Sequence, residues 1–275
     1  MRGFWLSTRL DISESMRARW FLFYSLVFSS IVVVLFLFGL TESRITGFTG
    51  LSRLLITYIQ LSMAILPIFV LITTVRSLAG DREAGVYEYM LSQPVSLAAW
   101  YWGRFAGRFI TVFAPVFLAM LGAVIWGMIK GADVPVYHFV WYSALLLSLS
   151  FCFLGLGFLI SSIARTSDVA QSAAFFLWLI MLLFLDLILL GMIIREQAPP
   201  GLVVTLALAN PMQVFRTAAM MLFDPQLILL GPSAWIILDA FGQTGYLIWG
   251  FFYPIVIGFI AGGIGFAIFR RGDLV

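Results

Sequence analysis

The chain has 275 residues, of which 62% are hydrophobic and only 11% charged, with a formal net charge of +3 and a pI near 9.2. That balance excludes an ordinary soluble globular domain. The basic excess, in so apolar a chain, reads as membrane orientation rather than as a nucleic-acid surface.

A helix needs roughly 20 apolar residues to cross the hydrocarbon core of a bilayer. Six stretches meet that need: 20–40, 54–75, 109–129, 139–163, 169–194 and 245–269. All are free of charge except 169–194, which holds Asp186. The period-two alternation of a barrel is missing, and backbone groups in lipid must pair within their own segment. The prediction is an all-α membrane protein of six transmembrane helices, with residues 1–275 forming a single transmembrane domain.

In chain order, residues 3–19 place Leu6, Leu10, Ile12 and Met16 among arginines and acids. This suits a helix lying on the cytoplasmic membrane face, and equally a charged extension of the first span. The first span lacks a small-residue cleavage site, so it reads as a retained helix. Connections 41–53 and 130–138 are short, and 164–168 is a tight turn that makes spans four and five an antiparallel hairpin. Two connections are long: 76–108, divided by Pro94 with Ser96 as N-cap of a following helix, and 195–244. In the latter, Pro199-Pro200-Gly201 ends span five, and an Asn210-Pro211 turn precedes an amphipathic segment, 212–223, expected on the outer surface. Gly103 with Gly107, and Gly258 with Gly262, form small-xxx-small pairs suited to close helix packing within the chain.

Arg2, Arg9, Arg17, Arg19, Arg76, Arg82, Arg104, Arg108, Arg165, Arg270 and Arg271 fall on one side of this topology. Arg44, Arg53, Lys130, Arg195 and Arg216 fall on the other, over more sequence. The positive-inside rule puts both termini in the cytoplasm of a multi-pass protein of the cell (inner) membrane. Trp20, Trp100, Trp102, Trp141 and Trp249 lie near span ends, where an interfacial belt explains them without a ligand.

The informative connection is the cytoplasmic one. Asp81, Arg82 and Glu83 stand just inside the membrane, Gly85 interrupts them, and Val86, Tyr87, Glu88, Met90 and Leu91 follow. A short helix with a charged start and an apolar second half suits a groove on another protein. A solvated helix resting on the membrane fits the same residues.

This stretch resembles the signature of the type-2 ABC transporter permeases, in which acid-x-acid-x-Gly leads to an apolar helix, then Leu-Ser-x-Pro-Val-Ser, then Gly-Lys. Asp81, Glu83 and Gly85 match the first part, residues 91–96 the second, and Gly103-Arg104 the third. Aspartate for the first glutamate, Val86 for threonine and arginine for lysine keep charge or volume. The resemblance implies that this segment is the coupling helix meeting a cytoplasmic ABC ATPase dimer. It also implies a second copy of the chain, with ATP and magnesium held on the ATPase. Within the family, the similarity extends along the chain toward the permeases that serve copper-site maturation of nitrous oxide reductase. It includes the span-five run around Asp186, Asn210-Pro211-Met212-Gln213-Val214-Phe215-Arg216, and the terminal Ala267-Ile268-Phe269-Arg270-Arg271. That branch implies a periplasmic copper-handling partner, for which 195–244, with Asn210, Pro211, Phe215 and Arg216, would be the platform.

No G-x-x-x-x-G-K-[ST] occurs, so the chain is expected to be a transporter subunit without an ATPase site or bound cofactor of its own. Asp186 lies about 12 Å below the outer end of its helix. It reads either as a hydrogen-bonded structural acid or as a gating residue, the former favoured because no substrate charge is identified. Soft thioethers suit copper(I), yet Met220 and Met221 are adjacent and point about 100° apart on a helix. With His138 and Met212 they make no convincing metal site, and Cys152 is the single cysteine. The rival reading is a type-2 exporter permease for a lipid, peptide or drug-like substrate. A secondary carrier would need more polar groups at mid-depth than one acid.

Overall fold

The computed structural model describes residues 2–17, 21, 23–24, 26–27, 30, 48–91, 95–129, 136–184, 205, 207–223 and 232–271. Every regular element among these residues is helical: α1 (Arg2–Arg17), α2 (Phe48–Glu83), α3 (Val86–Leu91), α4 (Leu97–Ile129), α5 (Val136–Ile163), α6 (Ser167–Leu179), α7 (Pro211–Phe223) and α8 (Pro232–Arg271). A π-helical turn, Ile180–Phe184, continues α6. Four segments are long and apolar enough to cross a membrane: Ile59–Glu83, Leu97–Trp126, Val136–Ile163 and Phe241–Arg271. Most of the expected first span, the outer part of the fifth, and Asp186 lie outside the described residues. Of the first, Tyr24 is buried and stacks on Phe69 of α2.

α5 is the hub, packing against α2, α4, α6, α7 and α8. Its closest crossing is with α8, where a Cβ on Gly155 would collide with the Gly258 backbone and one on Gly258 would meet the Phe151 carbonyl at 2.6 Å. The small residues let the helix backbones touch, as van der Waals packing in lipid demands. α8 is broken in its first third by Gly242, whose φ of 66° is a left-handed conformation. Farther in, Pro254 removes the N–H that the Gly250 carbonyl would accept. The Ser148 hydroxyl on α5 stands within 3.5 Å of that carbonyl and donates to Phe251 O at 2.5 Å. A polar side chain thereby replaces the backbone partner that lipid cannot supply.

Two boundaries differ from the sequence reading. The 76–108 connection is mostly helix: α2 runs on to Glu83 and α4 starts at Leu97, leaving a shorter link that contains α3. Polar residues did not end these helices because protein groups meet them, such as the Ala164 carbonyl that accepts Arg82 Nη1 at 2.7 Å. Ser96 does cap α4, its Oγ accepting Ala99 N–H at 3.3 Å.

The second difference is α7. Instead of lying on the outer surface it is sunk among α5, α2 and α8, with Met212, Val214, Phe215, Ala218, Ala219 and Met221 all buried. The Tyr253 hydroxyl, which donates to Ala209 O at 2.7 Å, sits eleven residues beyond Gly242, so the α7 start lies about 16 Å down α8. Burial extends to its polar edge as well, since Gln213 and Thr217 are buried along with the apolar side.

Candidate coupling site

α1 packs along α4 with its polar edge inward. Thr8, Asp11 and Ser15 are buried, while Trp5, Leu6, Leu10 and Met16 face outward, as an interfacial helix requires. The approach is close because α4 presents Gly103 and Gly107: a Cβ on the first would lie 2.6 Å from Ser7 Cβ, and on the second 2.8 Å from Thr8 O. The expected intrachain role of this glycine pair is thus observed. Asp11 is fully buried and pairs with Arg108 at 3.0 Å. Burial pushes its carboxyl above the ordinary carboxylate range, and the Arg108 guanidinium draws it partly back.

One turn from Arg108, Arg104 forms a close ion pair with Asp81 of α2. Glu14 of α1 approaches it at 3.7 Å but is largely exposed, so water screens that contact. The Arg104 guanidinium also lies 4.7 Å from the Trp100 ring centre. Three helices therefore meet on one arginine. Asp81, expected to face another protein, is spent within the chain.

α2 ends at Glu83, and Gly85 (φ 68°) reverses the chain into α3, with Gly85 N–H bonded to Arg82 O at 3.2 Å. A Cβ there would meet nothing within 4 Å, so backbone conformation rather than space calls for glycine. Glu83 is exposed, yet its carboxylate accepts the Ser167 N–H at 3.1 Å at the start of α6. That places negative charge on a helix N-terminus already capped by Thr166. Just above, Ser161 of α5 enters the hydrogen-bond ladder of α2, accepting from Leu78 and Ala79 N–H and donating to Val75 O at 2.6 Å. Inserted side chains of this kind kink helices.

α3 has only six residues, too short to be stable alone. Tyr87 holds it. The buried phenol donates to Leu78 O at 2.6 Å, and burial pushes its ionisation up, keeping it a neutral donor. Arg82 lies 5.9 Å from the Tyr87 ring centre. Val86 is half-buried, and Tyr89 is 71% exposed on the opposite face. The side chains of Glu88, Met90 and Leu91 lie outside the described residues. Sequence reasoning missed Tyr89, which sits two residues from Tyr87 and so on the other side of the helix.

The outer candidates are reassigned by the fold. Asn210, Pro211 and Phe215 are buried rather than displayed. Asn210 caps α7 through Oδ1 on Met212 N–H at 3.0 Å, and its Nδ2 donates to Met181 O at 2.9 Å, a carbonyl of the π turn. Phe215 tilts against Tyr142, and Arg216 is half-buried. Met212, Met220 and Met221 are buried in the same packing.

Several membrane-length apolar helices, with a short helix anchored beside their ends, define a multi-pass helical membrane protein. The chain belongs to the ABC-2 family of transporter proteins, whose profile matches residues 5–228. Among its relatives is a protein described as a probable ABC transporter permease protein NosY from Stutzerimonas stutzeri, 23% identical over 222 residues, or 78% of this chain and 80% of that one. A second, of the same description from Pseudomonas aeruginosa, is 26% identical over 229 residues, covering 80% and 82%.

Proposed function

We propose that this chain is the six-span permease subunit of an ABC transporter, with both termini cytoplasmic, and that it takes its motion from a separate cytoplasmic ATPase. The carrying observation is α3: a helix too short to stand alone, pinned on one face by Tyr87 and exposing Tyr89 on the other. Two copies of the chain would pair with two NosF-like ATPase subunits, which hold ATP and magnesium. Closure of the ATPase pair on nucleotide pushes the coupling helices and shifts the permease between two states.

The relatives' description as probable NosY permeases supports a NosY-like role, and on our reading the outward end works on a periplasmic, NosD-like partner in copper-site maturation of nitrous oxide reductase. The burial of α7 changes how the platform is pictured. Asn210, Pro211 and Phe215 form the root of the 195–244 segment inside the bundle, and the partner would meet its rim. The test is co-purification of the cognate ATPase with the full chain in detergent. Tyr89→Asp is expected to reduce recovery of the ATPase at least tenfold while the permease keeps its wild-type elution. Undiminished recovery would count against docking at α3.

A further inference from the structure

The C-terminal Ala267-Ile268-Phe269-Arg270-Arg271 run is left unexplained by docking through α3 alone. Phe269 is fully buried, although it stands two residues from the end of α8 and is flanked by exposed Arg270 and Arg271. Its ring meets Tyr87 of the coupling helix edge-on at 5.5 Å and 73°, and stacks on Trp100 of α4 at 5.5 Å and 14°. Tyr87 and Trp100 are themselves edge-on at 5.7 Å, closing a triangle of three rings from three helices. Tyr101 backs it, 5.7 Å from Phe269, with its hydroxyl donating to Gly262 O at 2.9 Å. Aromatic pairs prefer such edge and stacked orientations, which hold them together beyond what buried area alone gives. Tyr87 is also the residue that fixes α3 to α2 through Leu78 O. A displacement of α3 therefore bears on Phe269 as directly as on α2.

We propose that Phe269 is a positioning residue that makes α8 a second output of the coupling helix, in parallel with α2 and α4. This rests on the reading of α3 as the ATPase-docking helix. α8 leads outward past the Gly155 crossing to Gln243, whose Nε2 donates to Met221 O of α7 at 2.9 Å. The stroke thus reaches the inserted helix under the outer loop through α8. Ser161 in the α2 ladder keeps α2 tied to α5 meanwhile.

The experiment uses the full chain with its cognate ATPase in lipid nanodiscs and paramagnetic labels on exposed outer positions. Thr244→Cys with Tyr137→Cys reports α8 against α5 on the Phe269 side of the Gly242 break, and Ile129→Cys with Tyr137→Cys reports α4 against α5. Cys152 is fully buried and stays unlabelled. Distances are compared without nucleotide and with a non-hydrolysable ATP analogue. In Phe269→Ala, ATPase recovery and the α4 shift should persist while the α8 shift falls by at least half. Phe269→Leu keeps the buried volume without the ring, and should give an intermediate α8 shift. An undiminished α8 shift in both variants, with the ATPase docked, overturns the inference and leaves the docking reading intact. Failure of the ATPase to associate with the unsubstituted chain overturns both.

Discussion

Asp11 and Arg108 form a buried pair that fixes α1 to α4. Removing one partner of such a pair strands the other, at a cost of about 3–5 kcal/mol. Asp11→Leu should therefore lower the thermal midpoint of the purified chain in detergent, by more than Asp11→Asn, whose amide oxygen can still accept from Arg108. Joint replacement, Asp11→Leu with Arg108→Met, should recover most of the loss. A double variant as unstable as the single one would show that α1 is held by other contacts. Because the folded-state carboxyl lies above its ordinary range, its contribution is fullest below the ordinary carboxylate pKa and declines as pH rises through the raised value. The difference between wild type and Asp11→Asn should accordingly widen on acidification and shrink as pH rises through the raised value. At this scale the sequence was half legible. It marked the residues around Gly85 but not their partners: Asp81 is turned to Arg104, and Trp100, placed in an interfacial belt, is buried beside Phe269. Charge and aromaticity announce that a residue needs something, and only the fold supplies what.

The elements were most legible where apolar length alone decided them, and least where polar groups found protein partners. α5 and the membrane part of α8 fall close to their expected positions, because 139–163 and 245–269 must pair their backbone groups internally. α2 overran its predicted end, since Arg82 bonds Ala164 O, whereas α4 begins after the Ser96 cap that the sequence marked. α7 read as a surface helix because its apolar spacing is amphipathic, whereas its nearly continuous burial belongs to the bundle. The repair of the Pro254 break by Ser148 was not legible in the sequence. Ser148→Ala removes the donor to the Gly250 and Phe251 carbonyls, an unsatisfied buried acceptor costing about 1–3 kcal/mol. Restoring the missing N–H with Pro254→Ala should offset part of that loss. Thermal unfolding of the two single variants and the double variant gives the coupling directly, and strictly additive effects would refute the repair.

Across the whole molecule, α5 touches every other long described helix, so relative motion of the rest must be taken up around it. The tightest of these contacts is the crossing with α8, where Gly155 and Gly258 leave no room for a methyl group. Gly263, on the same α8 helix, has nothing within 4 Å of the position its Cβ would take. The two glycines share a residue type and a membrane setting but differ in surroundings, which separates packing from helix propensity. Gly155→Ala should force the helices apart and cost about 1–3 kcal/mol, as overpacked interiors do. Gly263→Ala should be neutral or stabilising by about 0.5–1 kcal/mol, because alanine loses less backbone entropy in a helix. Thermal midpoints in one detergent, read beside ATPase recovery, distinguish a bundle that has come apart at its hub from one that has merely lost its docking surface. Equal midpoints for both variants would mean that the α5–α8 crossing does not hold the molecule together, and the pivot would have to be sought elsewhere.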